Sequence, residues 1–443
     1  MKIRGLIVAA LIFFILGGIL YWSEHQKPSD DSKESADAAP AILKLDASPI
    51  TKLDLKKRGA EPIVLTKSGS GKWEITQPQP FGADQSLVSG MLSTLSSLSS
   101  QRVIEDKATD VNRYGLNPPV LQLDITEKNN QTRALLIGDD TPTGSAAYAM
   151  VAGDPRVFTV AAYAKVSVDK SLKDLRDKRL LTVPPEKISR IELVRKNQDI
   201  EFGRNKDDWQ ILKPKALRAD SNQVSELVRK LTDAKMDLSS SDPKQAASAF
   251  ANAMPIATVK LTDESGTQEL QVRKKPVGTS SDAYYAKSSA VDGLYRINSD
   301  IGPALDKDLD DFRNKKLFDF GFVDPNKIEL HVGSKAYFLV RSGDDWWWDG
   351  KKMDAGSVQS LISDLRDLSA DRFPDSGFAN PTIDVTVTSD DGKRVERVLI
   401  AKSGNVYLAK RENEPAVYQL NSSSVDDLQK AADDIKPAAT ATK

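Results

Sequence analysis

Leu175-Arg176-Asp177-Lys178-Arg179-Leu180-Leu181 and Phe312-Arg313-Asn314-Lys315-Lys316-Leu317-Phe318 are two copies of one seven-residue pattern, set 137 positions apart. The spacing recurs upstream. Trp73 is followed 136 residues later by Trp209 and 137 after that by Trp346, and Asp84 is matched by Asp220 and Asp354. Tyr114-Gly115-Leu116-Asn117-Pro118 is echoed by Phe250-Ala251-Asn252-Ala253-Met254-Pro255 and by Phe378-Ala379-Asn380-Pro381. A nearly constant offset across several landmarks marks a long internal repeat. It predicts three related units, at residues 42–181, 182–318 and 319–436.

Each unit starts with period-two alternation and then changes to helical spacing. In the first, Ile50 to Lys56, Pro62 to Lys67 and Lys72 to Thr76 read as short strands of a meander. Leu87, Val88, Met91, Leu92, Leu95 and Leu98 then form one apolar stripe behind Asp84, which stands where a helix cap belongs. The stripes behind Asp220 and Asp354 are equivalent, and Gln223 is placed to complete a capping box with Asp220. After each Asn-Pro or similar punctuation come more strands, then a closing helix, in the first unit through Leu172, Leu175 and Leu180. Runs of strands with isolated helices, and no βαβα rhythm, predict an α+β fold with mainly antiparallel sheets.

The N-terminus carries a different signal. Lys2 and Arg4 precede the uncharged run Gly5 to Trp22. As a helix, eighteen residues at about 1.5 Å each reach roughly 27 Å, close to the hydrocarbon thickness of a bilayer. Tyr21 and Trp22 suit its interface, and no small-x-small cleavage site follows, so residues 1–22 are expected to be an uncleaved anchor in the lipid bilayer. Basic residues before the span and five acids against two lysines after it place the N-terminus in the cytoplasm and the remainder outside it, the arrangement of a single-pass protein of a bacterial inner membrane. Residues 23–41 and 437–443 read as a polar tether and a tail.

Composition removes whole classes of chemistry. The 443 residues amount to roughly three domains. Lys plus Arg total 62 against 63 Asp plus Glu, which argues against a nucleic-acid partner. With no cysteine and two histidines, thiol nucleophiles, disulfides and the usual zinc sites fall away, and no cofactor or metal is expected. Ser68-Gly-Ser-Gly-Lys72 runs on into a strand and reads as a hairpin turn, not a phosphate loop. Asp306 to Asp311 lacks the glycine and the final glutamate of a calcium loop; Leu305 and Leu309 there suggest one solvated helix. His331 alternates with Leu330 on a strand and faces its polar side. Trp346, Trp347 and Trp348 alternate faces, so at least one is exposed unless hairpin packing covers it. These three are the candidate partner or ligand contact.

Trp73, Pro78, Ala83-Asp84, Tyr114 to Pro119, Leu136-Ile137-Gly138, Pro142, Gly144, Tyr148 and Leu175 to Lys178 together resemble the uncharacterised bacterial family known as domain of unknown function forty-three forty. The likeness is clearest over residues 45–181, weaker over 183–318 and faint beyond 319. It implies an anchored envelope protein, some members being encoded near ABC-type transporters and gliding-associated auxiliary proteins, and it implies no catalytic residue. The expectation is therefore an exported, noncatalytic binding or scaffold protein, an accessory of an ABC-type transporter or envelope complex. Two alternatives stay open: a periplasmic glycan hydrolase working through a carboxylate pair, and a soluble-ligand receptor.

Overall fold

The structure, a computed structural model, describes residues 42, 43, 45, 50–206, 208–239, 243–277 and 281–439. The expected anchor, tether and most of the tail lie outside the described residues. Among the described residues no helix is long and apolar enough to cross a membrane. The fold is α+β and is built on three antiparallel sheets. The chain divides into two compact units, one up to Asp177 and one from Lys178 onward.

The first unit holds β1 (Ile50–Lys57), β2 (Ile63–Lys67), β3 (Trp73–Gln77), β4 (Phe81–Gly82), α1 (Gln85–Ser96), β5 (Arg102–Glu105), β6 (Leu121–Glu127), β7 (Thr132–Asp140), β8 (Ala146–Val151), β9 (Val157–Ala161), α2 (Ala162–Val168) and α3 (Leu172–Leu175). Its strand order is β4-β3-β2-β1-β6-β7-β8-β9-β5. Two meanders are thus joined through their first strands, β1 and β6, which pair antiparallel. Alternation supplies the face: Leu53 and Leu55, with Leu123 and Ile125 opposite, are buried against Val88, Met91, Leu92 and Leu95 of α1. The Asp84 carboxylate accepts from Leu87 N at 3.0 Å and starts that helix. Gln85 then fixes it to β3, accepting from Trp73 N at 2.8 Å and donating to Trp73 O at 2.9 Å.

The second unit repeats this plan twice. Its first sheet comprises β10 (Arg190–Arg195), β11 (Gln198–Asn205), β12 (Asp208–Lys213), β13 (Leu217–Arg218), β14 (Met254–Asp263), β15 (Gly266–Val277), β16 (Ser281–Ser288) and β17 (Leu294–Ile297), in the order β13-β12-β11-β10-β14-β15-β16-β17. With it go α4 (Ser221–Thr232), α5 (Pro243–Ala251), α6 (Ile301–Leu305) and α7 (Leu309–Phe312). The other sheet comprises β18 (Lys327–Val332), β19 (Lys335–Ser342), β20 (Asp345–Trp348), β21 (Lys351–Lys352), β22 (Ala370–Arg372), β23 (Ile383–Ser389), β24 (Arg394–Ser403), β25 (Val406–Arg411) and β26 (Val417–Leu420), with α8 (Ala355–Asp367) and α9 (Ser422–Asp433). Its order is β21-β20-β19-β18-β23-β24-β25-β26-β22.

These two sheets share one apolar core, running from Leu180 to Ala432. An ionic cluster joins them beside it. Arg218 of β13 reaches Asp319, Glu414 and the Tyr418 hydroxyl, while Arg411 of β25 reaches Glu396 at 3.0 Å and Glu414 at 2.8 Å. Burial opposes the charge on Arg218, yet the facing Tyr418, Asp319 and Glu414 outweigh it and hold the guanidinium protonated.

Three local expectations are corrected. Leu305 and Leu309 do not share a helix: α6 ends at Leu305, and α7 starts afresh behind Asp308, whose backbone N–H donates to the Asp311 carboxylate at 2.8 Å. Gln223 makes no capping box, because its Oε1 accepts from Lys307 at 2.6 Å instead. The closing helix of the first unit is two short pieces, α2 and α3, and Leu180 lies beyond both.

Candidate functional site

Directly opposite residues on antiparallel strands share a face, so a row can be read across each sheet at the same place. In the first sheet, on the side away from the α1 core, the row is Glu74, Thr66, Lys52, Thr126 and Thr132. In the second it is Gln210, Gly203, Arg190, Thr262 and Thr267. In the third it is Trp347, Val340, Lys327, Thr388 and Val395. The frame is constant, with a basic residue on the first strand and a threonine on the next. Only in the third sheet do the flanking positions become apolar.

That change adds apolar side chains to the outer side of the third sheet. Trp347 is 39% exposed, Phe338 44%, Val340 45% and Val395 62%. Phe338 sits two residues from Val340 on β19 and presents the same side. His331 meets the Phe338 ring edge-on, with centroids 5.4 Å apart. Charged pairs border the patch: Arg397 with Asp384 at 2.7 Å and Glu412 at 3.4 Å, Lys352 with Asp345 at 2.9 Å, and Lys327 with Glu329. The Asp384 carboxylate, through its hydrogen bond, holds the Arg397 guanidinium charged well above its ordinary range. An apolar centre inside a polar rim is the anatomy of a protein interface. Each acid here has a basic neighbour, which suits recognition better than proton transfer.

The three tryptophans separate. Trp346 is buried, and Trp348 is half-buried against the core with its ring 5.4 Å from Tyr337. Trp347 alone of the three is turned outward. Phe338, Val340 and Val395 went unnoticed in the sequence; the alternation of Phe338 and Val340 around Leu339 was the available signal, but Val395 joins them only through strand register.

The Tyr114–Pro119 segment has an architectural part in the first unit. Tyr114 and Leu116 cover Leu136, Tyr148, Met150 and Val157 as a small second core. Gly138 lies against this loop so closely that any Cβ there would overlap the Tyr114 carbonyl oxygen. Arg58 clamps the loop through the carbonyls of Gly115, at 3.1 Å, and Pro118. Among the described residues no group of three or more His, Asp or Glu is arranged to hold a metal ion.

The family model for the Domain of unknown function (DUF4340) matches residues 73–217 and again residues 209–381, starting each time on the tryptophan of the third strand, Trp73 and Trp209. No curated protein and no solved structure matches the chain.

Proposed function

Because this chain belongs to the DUF4340 family, described only as a domain of unknown function, we propose that it is a noncatalytic docking protein of the bacterial cell envelope. In this reading residues 1–22 anchor it in the inner membrane, the three related sheet units stand outside the cytoplasm, and the third sheet offers Trp347, Phe338, Val340 and Val395 to a protein partner. An ABC-type transporter, or another membrane complex of the envelope, is the proposed partner. One observation carries the reading: the positions that flank the basic residue and threonine of the row are not apolar on two sheets and are Trp347, Val340 and Val395 on the third. Exposed aromatic and aliphatic side chains cost solubility, so such a patch points to a surface that is covered in use.

The test is mild crosslinking of the full-length protein in its native membrane, purification through a C-terminal tag and mass spectrometry. A stoichiometric permease and ATPase should accompany the wild type and be lost from Trp347→Glu, while thermal melting of the variant stays unchanged. Equal recovery of the partners by a folded Trp347→Glu chain, or recovery of the wild type alone, overturns the proposal.

A further inference from the structure

Among the described residues, the large apolar side chains that the first unit leaves exposed are Val103, Ile104, Tyr163 and Val166. They lie on neighbouring elements. β5 carries Val103 and Ile104 and pairs with β9, and β9 runs straight into α2, which carries the other two. Tyr163 and Val166, three residues apart on the helix, share a side and are 77% and 65% exposed, while Ala164 and Val168 turn inward and are buried.

The chain enters the described structure at this same corner. Ile42 N donates to Leu98 O at 2.9 Å, and three residues further on Gln101 N donates to Thr159 O of β9 at 2.8 Å. One helical turn before Leu98, the Thr94 hydroxyl lies 2.9 Å from the Ser167 hydroxyl of α2. The point that receives Ile42 is thus bonded on one side to the strand that leads into α2 and on the other to α2 itself. In the anchored reading, residues 23–41 separate Ile42 from the bilayer. A polar chain of that length spans about 25 Å, whereas a folded unit of about 140 residues is roughly 35 Å across. Such a tether keeps the Ile42 corner near the lipid and the opposite side of the unit away from it.

We infer that this corner seats on the bilayer surface, with the Tyr163–Val166 side of α2 as the contact. The inference rests on residues 1–22 being a membrane anchor, and it asks nothing of the Trp347 surface. A tyrosine ring, apolar along its body and polar at its tip, suits the headgroup level. Nearby charges are already matched: Lys165 with Asp140 at 2.7 Å, Arg156 with Asp154 at 2.6 Å, and Arg113 with Glu105. The contact is therefore apolar and not electrostatic, so zwitterionic phosphatidylcholine suffices and added salt changes little. Two side chains on a helix of seven residues bind lipid weakly by themselves. Held by a short tether at an effective concentration on the order of millimolar, the same contact persists and fixes which way the first unit faces.

Because the chain has no cysteine, a single introduced one takes a polarity-sensitive fluorophore selectively. The full-length chain labelled at Val166→Cys is reconstituted in phosphatidylcholine liposomes, beside a chain labelled at Ser70→Cys in the β2–β3 turn, toward the other edge of the sheet. At position 166 the emission should shift to the blue and be quenched by lipid carrying a spin label on its headgroup, at low and high salt alike; at position 70 it should do neither. Adding Tyr163→Glu and Ile104→Glu should abolish both effects at 166 while circular dichroism stays that of the parent chain. If that combination melts early, Tyr163→Ser alone, at an exposed helix position, should still reduce the quenching. An aqueous label at 166 in a chain that floats with the liposomes overturns the inference and leaves the anchor standing, whereas a chain that does not float overturns both. Equal quenching at 70 and 166, or quenching at 166 that folded Tyr163 variants leave unchanged, overturns the inference as well.

Discussion

Replacing Glu396 with alanine should destabilise the second unit by about 3 kcal/mol, toward the lower end of the cost of breaking a buried ion pair. The side chain is 5% exposed and accepts from the Asp319 backbone N–H through both oxygens, each at 3.0 Å, as well as from Arg411. Removal orphans that N–H and takes one partner from Arg411. The residual charge is not stranded, since Glu414 stays 2.8 Å and Asp319 3.7 Å away; this keeps the cost below the upper end of the range, about 5 kcal/mol. Glu396→Gln keeps an acceptor for Asp319 N and should cost about 1–2 kcal/mol. Urea unfolding of residues 42–443 followed by tryptophan fluorescence reads the change. Four of the five tryptophans in that span belong to the second unit, so its transition dominates the signal. Hydrogen exchange supplies the local check: the Asp319 amide should lose protection in both variants, most in Glu396→Ala. A stability within about 0.5 kcal/mol of wild type for Glu396→Ala would show that the cluster is spectator chemistry on a core that holds the two sheets unaided.

Further outcomes are expected elsewhere. Trp347→Ala should weaken partner binding by about 2 kcal/mol, roughly 30-fold, with little change in melting, because the ring is on the outer face; biolayer interferometry against the purified partner measures it. Gly138→Ala should cost the first unit about 3 kcal/mol, since the obstacle is the Tyr114 backbone and cannot swing aside, and circular dichroism on denaturation shows whether it does. Tyr337, pushed up to about 12 by burial and by its hydrogen bond to Asp433, should be among the last tyrosines to ionise in an ultraviolet titration, and Tyr337→Phe should remove that step. Its raised value means the stabilisation it adds is complete below the ordinary phenol pKa and is lost as pH climbs from about 10 towards 12.

The sequence by itself determined the repeat, the α+β class and the helix starts. These follow from local or periodic facts: an aspartate just ahead of a long apolar stripe, as at Asp84, Asp220 and Asp354, can cap the helix it precedes, and Leu and Val repeated at helical spacing over three turns form one buried face. Local reading failed where long-range partners compete for a side chain. Gln223 looked like a capping partner until Lys307, 84 residues away, claimed it. Only the tertiary structure decided which tryptophan faces solvent and which residues stand beside it. Trp347, Val340, Lys327, Thr388 and Val395 come from five strands and are neighbours only through register, a property of hydrogen-bonded pairing between distant segments. The same holds for Glu396, Arg411 and Arg218, whose charges in sequence look like ordinary surface residues and become a buried junction once two sheets share a core.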